Sequence, residues 1–283
     1  MQLLSNLWSK IPVIIRAFIT GLLVLMVAVF PSSTLLQLNI TTMSAIPWAV
    51  PIGGLVLWLW WRYLGGWGAP ASNADRRRKL RRFNHLPAFG QPWIWFSAGS
   101  LAVTIASFAF IKTLTEVGAA QQVAMMDALE VLPAITAVPL LIGLTAMTGF
   151  FEETAFRGYM QLPLEERFGP IVAIAFVAFI FAGVHFPALG QFPLFFFGSL
   201  GWGVLVWLSG TILPGIVFHS LVDGCIFIWA WANPGIFRSL LDTNVLETGL
   251  TGLFKVVVAI AIVGTATTIY TFVKIHRSRP IAN

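Results

Sequence analysis

A chain of 283 residues that is 58% hydrophobic and 10% charged, with a mean hydropathy of +0.85, is excluded from the soluble globular domains, in which about a quarter of residues carry charge. The net charge of +6 does not point to nucleic acid, because Arg76, Arg77, Arg78, Lys79, Arg81 and Arg82 crowd into one loop between apolar spans, where they mark a cytoplasmic face and contact with anionic membrane lipids. The single cysteine, Cys225, excludes an intrachain disulfide.

Apolar stretches of about 20 residues, the length with which a helix crosses the hydrocarbon core, predict an all-α polytopic membrane bundle of about eight transmembrane helices. The first runs from Ile11 to Phe30; it is long for the apolar region of a signal peptide, and Phe30-Pro31-Ser32-Ser33 lacks an A-x-A-like cleavage site. A loop from Pro31 to Ser44 follows. The second span, Ala45 to Leu64, closes on Trp58, Trp60, Trp61, Arg62 and Tyr63, an interfacial belt. Gly65 to Pro92 is a loop that holds the basic cluster and a solvated His85, and the third span is Trp93 to Ile111. Leu114 to Leu132, with Glu116, Asp127 and Glu130, predicts an amphipathic helix on the outer surface, and Lys112 and Arg238 sit near interfaces, where they snorkel.

The fourth span starts at Pro133 and continues through Phe151 into Glu152 and Glu153; Pro163, Glu165, Glu166, Arg167 and Gly169-Pro170 end it and turn the chain. The fifth, sixth, seventh and eighth spans are Ile171 to Phe186, Phe192 to Leu208, Ile212 to Trp231 and Leu250 to Val273. An even number of spans puts both termini on one side. Placing the basic loop inside brings Lys10, Arg157, Arg167, Lys274, Arg277 and Arg279 inside too, and the loop Pro31 to Ser44, with no Lys or Arg, falls outside. The expected setting is the plasma membrane of a prokaryote, with cytoplasmic termini. The chain divides into residues 1–132 (three spans, basic loop and amphipathic segment), 133–232 (four spans with the polar residues) and 233–283 (last span and basic tail).

Chemistry concentrates in the middle segment. Val131 to Phe151 carries no charge and leads into Glu152. A carboxylate in such surroundings costs about 3 kcal/mol or more and therefore faces a partner or a wet cavity. Comparable surroundings hold His185, His219 and Asp223. Glu152 lies fifteen residues before Arg167 and His185 fifteen after Pro170, so two antiparallel helices joined there bring both to one depth. Glu153 and Arg157 are four apart in the favourable order for an ion pair on one helix face, which leaves Glu152 to face the cavity. His219 and Asp223 also share a face, and Phe181 packs one turn from His185. Gly198, Gly201 and Gly203 allow close helix approach.

Any one buried histidine is more often a hydrogen-bonded core residue than a catalyst. Four costly groups on three spans are better explained by function. A carboxylate with an imidazole can activate water as a general base, and a second histidine with an aspartate can polarise a carbonyl. The same residues could instead ligate a divalent metal such as zinc, although no H-E-x-x-H is present.

Glu152-Glu153-Thr154-Ala155-Phe156-Arg157 resembles the E-E-x-x-x-R motif of the CPBP family, that of CAAX prenyl proteases of the Rce1 type and bacteriocin-processing or immunity membrane proteins. Phe181 to His185 is similar to its F-x-x-x-H motif, and His219 to Asp223 to its H-x-x-x-N or D motif. The resemblance covers about Pro139 to Trp229 and implies an intramembrane endopeptidase acting on a membrane-associated peptide or protein, including prenylated CAAX-type substrates. By resemblance, Glu152 and His185 activate the water, His219 and Asp223 form the oxyanion site, and Glu153, Arg157 and Phe181 support them. It implies either a glutamate-dependent protease without a cofactor or a metalloprotease in which Glu152, His185, His219 and Asp223 hold the ion. Asp223 stands where many members carry Asn, and it would have to be protonated to donate a hydrogen bond. Two other classes stay open: a proton-coupled transporter with a carboxylate–imidazole relay, and a non-catalytic membrane scaffold or immunity protein.

Overall fold

The computed structural model describes residues 7–64, 82–115, 127, 129–185, 192–242, 245 and 249–280. Among them the elements are α1 (Val13–Thr41), α2 (Ala49–Leu64), α3 (Gln91–Thr115), α4 (Ala134–Glu152), a π-helical segment (Glu153–Gln161), α5 (Leu162–Phe168), α6 (Pro170–Val184), α7 (Phe192–Ser209), α8 (Leu213–Ala232), α9 (Pro234–Asp242) and α10 (Gly252–Ser278). Each of the eight expected spans contains a helix, with Phe186 of the fifth outside the described residues. Six helical runs are long and apolar enough to cross a membrane, with α4, the π segment and α5 forming one of them. The two others are shorter: α2 has 16 residues and α6 has 15. At about 1.5 Å per residue neither covers the roughly 30 Å hydrocarbon core unaided.

The first span is longer than expected and leaves little of the expected loop from Pro31 to Ser44. Helix α1 continues past Pro31 to Thr41. Proline removes one backbone donor, and the next two residues reinforce the turn: the Ser32 and Ser33 hydroxyls donate to the carbonyls of Ala28 and Val29, each at 2.8 Å. Buried Asn39 then organises the reversal into α2, donating to the Ile46 carbonyl at 3.3 Å and accepting from the Ala49 amide at 2.9 Å. The basic residues Arg76 to Arg81 and most of the expected amphipathic segment, 116–126 and 128, lie outside the described residues. Arg82 is described; it is buried and paired with Glu165. At the opposite end Arg238 donates to Asp127 at 2.6 Å and also pairs with Glu130.

Small residues set the helix spacing, as they do where lipid supplies no hydrophobic drive between helices. Helices α3 and α10 pack antiparallel through Ser97–Thr271 at 2.7 Å and Ser100–Thr268 at 2.9 Å. Helices α4 and α8 also run antiparallel: a Cβ on Gly224 would lie 3.2 Å from Thr145, and one on Gly149 would lie 2.9 Å from the Ser220 backbone nitrogen. Helix α1 packs on the motif region, with Gly21 against Met160 and the Ala155 carbonyl. The continuous run 134–168 thus stands among α1, α6, α7 and α8.

Candidate active site

The unbroken apolar pattern of the fourth span supports an α-helix only as far as Glu152. From Glu153 to Gln161 the backbone is a π-helix, with Glu153, Thr154, Arg157 and Gln161 all buried. A π-bulge is uncommon and recurs at functional sites. Here it coincides with the polar motif. Arg157 and Gln161, four apart, reach across to Ser199 and Gly203, four apart on α7: Arg157 Nη2 donates to Ser199 Oγ at 3.1 Å, and Gln161 Nε2 donates to the Gly203 carbonyl at 2.9 Å. Gln161 also donates to Glu165 at 2.6 Å, and Glu165 pairs with Arg82, so polar contacts extend from the motif to the basic end of the bundle.

His219 on α8 is the centre of the cluster. Its Nδ1 hydrogen-bonds Glu153 Oε1 at 3.0 Å, while its Nε2 lies 3.7 Å from Glu152 Oε2 and 3.6 Å from Asp223 Oδ2. The last two separations exceed hydrogen-bond length. Nε2 is therefore uncommitted and directed between two carboxylates. A carboxylate on Nδ1 fixes the orientation of an imidazole and places a proton on Nδ1. The Trp202 ring stacks on His219 with centroids 5.9 Å apart and planes 13° apart. Gly215, one turn earlier on α8, admits Glu153: a Cβ there would sit 2.9 Å from Glu153 Oε2.

The two adjacent glutamates differ in access. The Glu153 side chain is 0% exposed and that of Glu152 14%. Glu153 lies 3.5 Å from Arg157 Nε, consistent with the expected i,i+4 pair, and it makes the His219 hydrogen bond in addition. The Arg157 guanidinium also lies over the Phe181 ring, 4.9 Å from its centroid.

His185 is less tightly joined. It caps the C-terminal end of α6, with Nδ1 2.7 Å from the Phe181 carbonyl and its ring 4.1 Å from the Phe195 ring at 19°. It lies within electrostatic reach of Glu152 and Asp223 without an ion pair to either. Of the two imidazoles, that of His219 is the one within 4 Å of Glu152, at 3.7 Å. Among the described residues no group of three or more His, Cys, Asp or Glu side chains is arranged to hold a metal ion. Sequence reading missed Ser199, Gln161, Trp202 and Phe195. A tryptophan inside the run Gly198 to Gly203, away from either interface, was the one available signal.

Fold and site together define a polytopic helical membrane protein with a buried cluster of carboxylates and imidazoles beneath a partly accessible glutamate. Residues 134–225, about a third of the chain, match the family model described as type II CAAX prenyl endopeptidase Rce1-like, and in this segment the chain is similar to that family. The match supports, in general terms, a multi-pass membrane protein with the core of a CAAX-type intramembrane endopeptidase acting on a peptide or protein. No curated protein and no solved structure gives a significant match.

Proposed function

We propose that this protein hydrolyses a peptide bond in a membrane-associated, prenylated CAAX-type protein, with Glu152 as the base that activates water. The observation that carries this reading is the arrangement at His219: Glu153 holds Nδ1 at 3.0 Å, and Nε2 points between Glu152 and Asp223. Glu152 is the more exposed of the two glutamates, 14% against 0%. It takes a proton from the attacking water and returns it to the leaving amine. His219, with its positive charge supported by Glu153, donates from Nε2 to the developing oxyanion. Asp223 and His185 border the same space; Asp223 orients the imidazole from the Nε2 side, and His185 adds a second polar group toward the carboxylates. Arg157 holds Glu153, and the Phe181 ring packs against the Arg157 guanidinium. The catalytic core is residues 133–232, between an N-terminal unit of residues 1–132 and a C-terminal unit of residues 233–283.

Orientation follows from the same chain of contacts. Arg82, Arg167 and Arg279 share the end of the bundle where Arg82 meets Glu165 and Arg279 donates to the Trp207 carbonyl. We assign that end to the cytoplasm of a prokaryote, with the positive-inside rule as support. Substrate then enters from the cytoplasmic leaflet.

The test is cleavage of a prenylated CAAX-type membrane peptide by the purified full chain, comparing wild type with Glu152→Gln, each with and without a strong chelator. Cleavage is expected in wild type, is retained with chelator, and is lost in Glu152→Gln. Full activity in Glu152→Gln would overturn the assignment. Loss with chelator and recovery with zinc would replace it with a metalloprotease reading.

A further inference from the structure

We infer that Ser199, a residue outside all three motifs, is a positioning residue that holds the His219 imidazole through Arg157 and Glu153. The inference deepens the reading above and rests on it for its kinetic consequence only.

A buried guanidinium offers five donors and demands partners. Arg157 is 0% exposed, and its surroundings are mostly apolar: Phe156 and Phe181 lie within 6 Å of its guanidinium carbon. Its polar partners are few. Nε lies 3.5 Å from Glu153 Oε2, and Nη2 reaches Ser199 Oγ at 3.1 Å and the Ser199 carbonyl at 3.4 Å. The Ser199 hydroxyl is the closest of these, and it is itself buried. It sets the direction of the guanidinium plane. That plane faces one oxygen of Glu153, and the other oxygen of the same carboxylate accepts from His219 Nδ1 at 3.0 Å. A carboxylate is a rigid, planar group, so turning one oxygen turns the other. Ser199, Arg157, Glu153 and His219 are therefore coupled links, from α7 through the π segment to α8.

Close approach of α7 makes the first link short. A Cβ on Gly203 would lie 2.9 Å from Ile174 and 3.1 Å from Gln161 Oε1, and one on Gly201 would lie 2.5 Å from Leu101. Gly203 brings the α7 backbone near the π segment, which lets a side chain as small as serine reach Arg157, while Gly201 lets the same helix approach α3.

The experiment uses the full chain with ¹⁵N-labelled histidine, purified in detergent, as wild type, Ser199→Ala, Ser199→Cys, Ser199→Thr and the control Ser97→Ala. Ser97 is equally buried and hydrogen-bonds Thr271 at 2.7 Å, in the contact between α3 and α10 and outside the chain of polar contacts that leads to His219. The readouts are the ring-nitrogen signals of His219, assigned by their loss in His219→Gln, and the pH profile of kcat/KM. Ser199→Ala and Ser199→Cys are expected to move the His219 signals and shift the pH profile. They should lower kcat by about tenfold or more at nearly constant KM, the size expected for a lost hydrogen bond to a charged group. Ser199→Thr, which keeps the hydroxyl, restores both, and Ser97→Ala changes neither. Unmoved His219 signals in folded Ser199→Ala or Ser199→Cys would overturn the inference, as would lost cleavage without a change at His219. If wild type cleaves no substrate, the protease reading has failed, and the histidine signals still decide whether Ser199 positions the ring.

Discussion

Substituting Gly149 by alanine tests whether the depth of the site is set by the contact between α4 and α8. Gly149 lies one turn before Glu153, and its Cβ would lie 2.3 Å from Ser220 Oγ, 2.9 Å from the Ser220 backbone nitrogen and 3.1 Å from the Ile216 carbonyl oxygen. The hydroxyl can rotate away; the two backbone atoms cannot. Bringing the nitrogen from 2.9 Å to the 3.4 Å at which ordinary contact begins requires the helices to part by about 0.5 Å. The Glu153–His219 hydrogen bond crosses the same interface at 3.0 Å, so that displacement takes it to the limit of a hydrogen bond. Overpacking of this kind costs about 1–3 kcal/mol of stability, and a hydrogen bond lost beside the reacting groups lowers kcat by about ten- to a hundredfold.

Gly143 on the same helix is the control, because its Cβ would meet only Val50, at 3.7 Å and 4.0 Å. Thermal unfolding in detergent and steady-state cleavage are measured for both variants. Gly149→Ala is expected to lower Tm and kcat, and Gly143→Ala to change neither. Equal Tm and kcat for the two alanine variants would refute the argument that this helix contact sets the site.

Arg157→Leu removes the guanidinium beside the buried Glu153 carboxylate and leaves His219 as its one charged partner among the described residues, and it is expected to cost about 3 kcal/mol. The double variant with Glu153→Gln costs less than the two single changes summed, which denaturant titrations arranged as a double-mutant cycle will measure. Asn39→Ala strips partners from the Ile46 carbonyl and the Ala49 amide. It is expected to cost about 1–3 kcal/mol in the same titrations, with no change in cleavage. Arg238→Ala is expected to leave Tm unchanged, because that side chain is 44% exposed and its partners Asp127 and Glu130 are exposed as well.

Much of this protein is legible in the chain itself. Composition and the length of apolar runs determine a helical membrane bundle, because a bilayer leaves backbone groups no partner but each other. The three spaced motifs mark Glu152, His185, His219 and Asp223 as candidates, because each is costly in lipid and the costs coincide. Tertiary structure alone decided how they pair. The spacing of Glu153 and Arg157 describes an ion pair on one face of an α-helix, and it cannot report a π-helix, since the change of turn depends on what packs around it. Which imidazole meets Glu152 depends on the small residues at Gly149, Gly215 and Gly224, which set the distance between α4 and α8. Ser199 carries no pattern at all. It is one serine among many in the chain, and only the approach of α7 to a buried arginine gives its hydroxyl a partner.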